Sequence, residues 1–255
     1  MHLVLPSRGI LGQKSVDLRV PTFADIREVN QYSNDLIKRY KFVQLLSNVN
    51  LEKVTPSDMD YLFSVASFSL LLNRATFKLT CSCGNNLQDV VGIGDLDVDD
   101  LDPHYTYSYH IRLLGKKYQF RLPSASDIFE ATSESLAAES DKQADQVYKD
   151  HVVAATLSLP LIKVASIPPS VYVAALEYPT LVAPHGFNYL RKVKCPKCGK
   201  EVPYKVSLTS QVTDFNTSAF MDRFLSLSSV ISFTDFLKLS VVEYNAIVDN
   251  LNNKQ

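Results

Sequence analysis

Long apolar runs, net charge, glycine and cysteine are all scarce in this chain, and each scarcity removes a class of function. The longest apolar stretch, Leu62 to Leu72, is interrupted by Ser64, Ser67 and Ser69 and is too short to span a bilayer. A formal net charge of -1 gives no whole-protein field to attract nucleic acid or an anionic membrane, so either partner would need a local patch. Eight glycines leave little material for a loop that cradles a cofactor, and there is no dinucleotide fingerprint, no Gly-x-x-x-x-Gly-Lys, no Gly-x-Ser-x-Gly and no His-Glu-x-x-His. None of His2, His104, His110, His151 and His185 has metal-ligand spacing to another, and His185, between Pro184 and Gly186, reads as a loop residue. These absences point away from an enzyme. The opening Met1 to Pro6 lacks a basic start and is broken by proline, so secretion is not expected. Four cysteines in 255 residues without a signal segment fit metal ligands better than a disulfide framework.

What is present suffices for a soluble globular protein: 46% of the residues are hydrophobic, enough for one large domain or two small ones. The chain also repeats itself. Arg19, Pro21, Thr22, Asp25-Ile26 and Glu28 are matched 102 residues later by Arg121, Pro123, Ser124, Asp127-Ile128 and Glu130. Leu51-Glu52-Lys53-Val54-Thr55-Pro56-Ser57 is echoed by Leu161-Ile162-Lys163-Val164 and then Pro169-Ser170. From Ser57 to Cys81 is 24 residues and from Ser170 to Cys195 is 25, and each copy then closes on a cysteine pair followed by glycine. Matched blocks in a kept order indicate an internal duplication.

Each copy reads as a strand, a capped helix, one or two more helices and a knuckle on a β-hairpin. Val16, Leu18 and Val20 alternate with polar residues, as do Tyr118, Phe120 and Leu122, until Pro21 and Pro123 end the strands. Thr22 and Ser124, each three residues before an aspartate, are helix caps. Tyr61, Leu62, Val65, Phe68, Leu71 and Leu72 form one buried face of a helix. The second copy should have shorter helices and more loop there, because Pro179 and Pro184 interrupt it. Gly94 to Pro103 is strongly acidic and reads as a linker. Asp95, Asp97 and Asp99 imitate a calcium loop, but Asp100 and Thr106 replace the glycine and glutamate that such a loop needs. Thr132 to Lys149 suits an exposed helix. From Thr217 the tail reads as a helical hairpin, with Phe220, Phe224 and Leu225 on one stripe, Val230-Ile231 at the turn, and Ser240 to Glu243 as a capping box. It packs on its own core or is presented to a partner.

Cys195-Pro196-Lys197-Cys198-Gly199 has the form of a zinc knuckle, two thiolates two residues apart with a glycine free to take positive φ behind them. Tyr189 to Lys194 and Val202, Tyr204, Val206 and Leu208 place it at a hairpin tip. Cys81-Ser82-Cys83-Gly84 is one residue shorter, yet occupies the equivalent place. Together Cys81, Cys83, Cys195 and Cys198 make a closed tetrahedral set for one structural zinc, with no position open to water. The alternatives are free thiols in a reducing cytosol and a redox dithiol at Cys195 and Cys198; the latter lacks a thioredoxin-like context. The expected fold is α+β: two duplicated, mainly helical halves, residues 1–100 and 101–215, with β-hairpin knuckles joined at one zinc, and a C-terminal helical tail, 216–255.

The sequence resembles the baseplate hub proteins of T-even-type tailed phages, a family that includes hub components and hub-assembly factors. Leu5-Pro6-Ser7-Arg8-Gly9, the Arg19 to Thr22 block, Phe77-Lys78-Leu79-Thr80-Cys81 and the knuckle running into Val90 to Leu96 carry the resemblance, over roughly residues 3 to 100 with a looser echo to about 210. The family's knuckle usually has two residues between its cysteines, from which Cys81-Ser82-Cys83 departs. The resemblance implies a non-catalytic structural or assembly role, other hub proteins as partners, and a location in the host cytoplasm during assembly or in the tail baseplate. The competing expectation is a zinc-ribbon nucleic-acid binder, since Arg191, Lys192, Lys194, Lys197, Lys200 and Lys205 crowd the second knuckle. The lack of a recognised nucleic-acid motif and of matching basic residues at the first knuckle argues against it.

Overall fold

The computed structural model describes all residues except 69–73, 107, 183, 208–216, 229 and 253–255. Leu71, Leu72 and Leu208, to which the sequence assigns core or hairpin places, lie outside the described residues. Two stretches of the chain run through a similar order of elements, apart from the turn Ile93–Asp95 and the short strands Val98–Asp99 and Gly186–Phe187. The first pass is a hairpin (His2–Val4 with Ser15–Asp17), helices Phe23–Val29 and Asp35–Leu46, a 3-10 turn Leu51–Lys53, helix Pro56–Ser67, and a hairpin of Arg74–Thr80 with Asn86–Gly92. The second is a hairpin (Ser108–Leu113 with Lys116–Arg121), helices Ala125–Ser135 and Asp141–Leu157, a 3-10 segment Leu161–Ser166, helix Pro169–Val182, and a hairpin of Leu190–Lys194 with Glu201–Lys205. Helices Thr217–Leu227, Phe233–Lys238 and Val241–Asn252 follow. The architecture is therefore α+β, with small antiparallel sheets of two strands each. No helix among the described residues is long and apolar enough to cross a membrane.

Two compact units are built from interleaved stretches of chain. One comprises Met1–Asp17, Ser47–Tyr61 and Val98–Gly186, the other Leu18–Leu46, Leu62–Asp97 and Phe187–Gln255. In the first unit Phe120, Val153, Leu157, Val171, Ala175 and Tyr178 form the core. The Tyr178 hydroxyl meets that of Tyr105 at 2.9 Å, so a buried polar atom is satisfied. Buried Asp58 accepts the backbone N–H groups of Ser7, at 3.0 Å, and Thr55, at 2.9 Å, and so ties the N-terminal turn to a helix start. The Thr55 hydroxyl in turn meets His185 Nε2 at 2.7 Å, which gives that loop histidine a structural partner.

In the second unit Phe42 and Phe63 meet edge to face at 6.0 Å, and Leu62, Val65 and Phe68 are buried, as the helical stripe requires. The tail gathers Phe224, Phe233, Phe236 and Tyr244 into an aromatic group around Phe23, whose ring stacks on Phe236 at 4.4 Å. Phe220 belongs to a stretch whose side chains are not described, and Leu225, 58% exposed, lies off the buried face. Among the described residues the tail holds three helices rather than two.

Each unit contains one copy of the same cap. Thr22 N–H and Oγ1 donate to Asp25 Oδ2 at 2.7 and 2.9 Å, while Arg19 reaches both carboxylate oxygens at 2.7 and 2.6 Å. Ser124 N–H and Oγ donate to Asp127 Oδ2 at 2.7 and 2.9 Å, with Arg121 on the two oxygens at 3.0 and 3.3 Å. The strands end earlier than the prolines, at Asp17 and Arg121, while the hydroxyl caps the helix and the arginine neutralises the capping carboxylate across the turn.

Helix Pro169–Val182 runs over 14 residues, with Pro179 near its end, where it disturbs only the final turn. Two expectations change. The polar stretch 132–149 is divided by Ser140, which caps a new helix through Gln143 N–H. The acidic segment is anchored, since its two leucines, Leu96 and Leu101, are only 6% and 3% exposed and Leu101 N–H donates to the Pro6 carbonyl at 2.8 Å.

Burial opposes the charge on Asp25 and Asp127, but the facing arginine and the cap donors outweigh it and hold both below the usual 3.8. A depressed carboxyl contributes stability above its unfolded pKa and loses it as pH falls through the folded value. Urea unfolding should show Ser124→Ala costing about 1 kcal/mol at pH 7. The gap between wild type and Asp127→Asn should narrow as pH falls below 3.8; a gap that widens in acid would contradict the cap's ionic character.

Candidate metal centre

Both knuckles sit in one unit, each at the tip of an antiparallel hairpin. The first hairpin pairs Arg74 with Gly92 through to Thr80 with Asn86, and the second pairs Leu190 with Lys205 through to Lys194 with Glu201. Beyond the last pair the chain turns back at the cysteines. Cys81 N–H donates to the Asn85 carbonyl at 2.9 Å and Gly84 N–H to the Cys81 carbonyl at 2.8 Å. In the longer knuckle Cys195 N–H donates to the Lys200 carbonyl and Gly199 N–H to the Cys195 carbonyl, both at 2.8 Å. The one-residue difference is thus absorbed inside the turn, because Gly84 and Gly199 end it at nearly the same φ, +79° and +73°.

The four sulfurs all lie within 4.8 Å of one another. Pairs form across the hairpins: Cys81 Sγ is 3.6 Å from Cys198 Sγ, and Cys83 Sγ is 3.7 Å from Cys195 Sγ. A tetrahedral ion with bonds of about 2.3 Å puts its sulfurs about 3.8 Å apart, so these separations are compatible with a shared ion. Cys81 and Cys195 are buried, with Leu87, Leu79, Val193 and Val202 packed around them, while Cys83 and Cys198 face solvent. Each hairpin thus contributes one inner and one outer sulfur.

The thiols share charge unevenly. Burial works against ionisation of Cys195, but the Cys198 and Lys197 amides and the neighbouring thiols overcome it and bring it down to about 6. The Cys83 amide draws Cys81 below its ordinary value as well. At Cys83 an amide from Asn85 favours the thiolate, yet burial and the three neighbouring sulfurs prevail and push it up to about 11. Four thiols this close cannot all ionise without a cation among them. A divalent ion would be held by all four, and the amides turned toward the sulfurs would orient them.

The two hairpins are also clamped by residues that sequence reasoning missed. Asp89 on the first receives the Tyr204 hydroxyl at 2.5 Å and Arg191 Nε at 3.3 Å from the second, and the Phe77 and Tyr204 rings lie 5.6 Å apart. Asn85 Nδ2 reaches Cys195 Sγ at 3.6 Å. Arg191 is visible in the sequence only as one of several basic residues, and a lone aspartate five positions beyond Gly84 carries no signature of its own. Of the six basic residues around the second knuckle, Arg191 is bound to Asp89 and Lys192 to Glu201.

An added Cβ at Gly84 or Gly199 would meet nothing within 4 Å, so the cost of alanine there is backbone strain alone. Gly84→Ala and Gly199→Ala should each speed metal loss to a chelator by about tenfold, the equivalent of about 1–2 kcal/mol for a non-glycine in the left-handed region. Unchanged release in both would show that the turns do not set the sulfur positions. Comparison of the chain with protein-family models, with curated proteins and with solved structures found no match.

Proposed function

We propose that this chain is a non-catalytic structural or assembly component of a tailed-phage baseplate hub, ordered by one structural zinc on Cys81, Cys83, Cys195 and Cys198. The observation that carries the reading is the closed four-sulfur cluster. A catalytic zinc keeps one position for water or substrate, whereas four thiolates fill the tetrahedron and leave the ion no chemistry beyond holding two hairpins together. The baseplate assignment draws further support from the blocks of sequence that resemble the hub family, and from the lack of nucleotide-binding and hydrolase motifs. Such a protein works in the host cytoplasm during assembly, with other hub proteins as its partners, or remains in the tail.

The repeated element order and the repeated Arg-x-Pro-Thr/Ser cap support a second part of this reading, that the two passes descend from one duplicated unit. Nucleic-acid binding draws support from exposed Lys194, Lys197 and Lys200 at the second knuckle, but these lysines also offset the double negative charge of a zinc with four thiolates.

Elemental analysis of protein purified under reducing, chelator-free conditions should give one zinc per chain, and a metal-free product would remove the centre. Cys195→Ser should lower thermal stability far more than a surface substitution, because metal binding is coupled to folding. Co-purification with phage hub proteins is the expected result for the assembly role; salt-sensitive retention on DNA without hub partners would replace it with nucleic-acid binding.

A further inference from the structure

Chain spacing and folded geometry offer the four sulfurs different partners. A Cys-x-x-Cys pattern offers Cys198 to Cys195, an oxidation that would stay within one knuckle. The fold sets each sulfur against one on the other hairpin, Cys81 Sγ at 3.6 Å from Cys198 Sγ and Cys83 Sγ at 3.7 Å from Cys195 Sγ. Each of these pairs joins a buried sulfur to an exposed one. Cys81 and Cys195 are closed in by Leu79, Leu87, Val193 and Val202, whereas Cys83 and Cys198 are exposed. A small solute therefore meets the outer member of a pair first, with the inner member directly behind it.

Two further features favour partners across the hairpins. The clamp of Asp89 with Arg191 and Tyr204, and the Phe77–Tyr204 ring contact, use no sulfur, so they keep the hairpins facing each other when the sulfurs give up an ion. The turns are likewise held by backbone bonds, Cys81 N–H to the Asn85 carbonyl and Cys195 N–H to the Lys200 carbonyl, which engage no thiol. A disulfide bond of about 2.05 Å asks the sulfurs of either pair to approach by about 1.6 Å, and side-chain rotation supplies that without moving the strands. A bond within each knuckle would instead leave the hairpins joined by the clamp alone.

We propose that the cluster is a site of oxidative modification, at which hydrogen peroxide converts the four thiolates into two disulfides across the hairpins, Cys81–Cys198 and Cys83–Cys195, and frees the ion. The proposal rests on the zinc reading of the same four sulfurs. The thiolate of Cys83 or Cys198 attacks one peroxide oxygen, the O–O bond breaks, and hydroxide leaves a sulfenic acid behind. The inner thiolate of that pair then attacks the oxidised sulfur and expels a second hydroxide as the S–S bond forms. Each pair thus gives two electrons to one peroxide. Two peroxides and four protons turn the tetrathiolate zinc into a free divalent ion, two disulfides and four waters. The hairpins pass from one kind of link to the other without coming apart. A reducing cytoplasm keeps the zinc form, and a chain that has left it keeps its hairpins joined after the ion is lost.

The test uses full-length, zinc-loaded protein freed of reductant. Hydrogen peroxide should release one zinc per chain to a coloured chelating indicator while the assayable thiols fall from four to none. Peptide mapping without reduction, with cleavage after Lys197 to part Cys195 from Cys198 and tandem fragmentation to tell Cys81 from Cys83, should find Cys81 linked to Cys198 and Cys83 to Cys195. A Cys195–Cys198 link, the pairing of Cys81 with Cys195 and Cys83 with Cys198, or sulfinic acids at the outer sulfurs without a disulfide would overturn the proposal. So would bound zinc and four thiols that survive excess peroxide. Thermal melting gives a second reading: oxidised, metal-free protein should melt close to the zinc form, and reduced, chelated protein well below both. Oxidised protein that melts with the chelated form would show that the disulfides do not replace the metal link. Protein that carries no zinc before treatment defeats the zinc reading by itself, and the disulfide map of that same sample still decides the pairing.

Discussion

Four sulfurs gathered within 4.8 Å cannot all be thiolates unless something positive stands among them. Two of them, Cys81 and Cys195, are withdrawn from water, so their charge cannot be offset by solvent. Neighbouring amides draw Cys195 down to about 6, while burial and the surrounding sulfurs push Cys83 up to about 11. A divalent ion resolves both problems together, since it replaces the protons and neutralises half of the charge. Hairpins joined only by side-chain contacts then become cross-linked at their tips. Such a link would join chain segments 112 residues apart in sequence, between Cys83 and Cys195.

The Asp89, Arg191 and Tyr204 clamp makes sense in this light. An ion at the sulfurs would fix the tips of the hairpins, but a single point would allow each hairpin to rotate about it. The clamp adds a second point of contact on the strands, and its charged partners, 20% and 27% exposed, lie where water screens them less than at the open surface. Tyr204 carries both halves of the arrangement, its hydroxyl on Asp89 and its ring against Phe77. The clamp and the turns together place the sulfurs of both knuckles, the shorter one included, within 4.8 Å of one another.

Local signals in the sequence were strong enough to place the caps and the cysteines. Arg19, Pro21, Thr22 and Asp25 act within seven residues of one another, so their pattern and their structure are nearly the same thing, and the same holds for Arg121 to Asp127. The cysteine pairs were legible because thiolates at this spacing before a glycine have few other uses. What escaped was set by distant contacts. Leu96 and Leu101 are buried by partners that an acidic stretch does not announce, and Pro179 is tolerated because of where it falls in a helix whose start depends on Pro168 and Pro169. Nothing local to Asp89 or Asn85 marks them as neighbours of the centre. The tail's three helices differ from the expected two because Ser232 caps a short extra helix through Asp235, a box that competes with a simple turn.

The claim on which everything else stands is that a single ion is bound by all four sulfurs. X-ray absorption at the zinc edge of the full-length protein measures it directly, because the spectrum counts the atoms bound to the metal and gives their distance. Four sulfurs at one distance of about 2.3 Å are the expected result. A mixed shell, with two sulfurs and nitrogen or oxygen neighbours at about 2.0–2.1 Å, would contradict it and would mean that only one knuckle holds the ion.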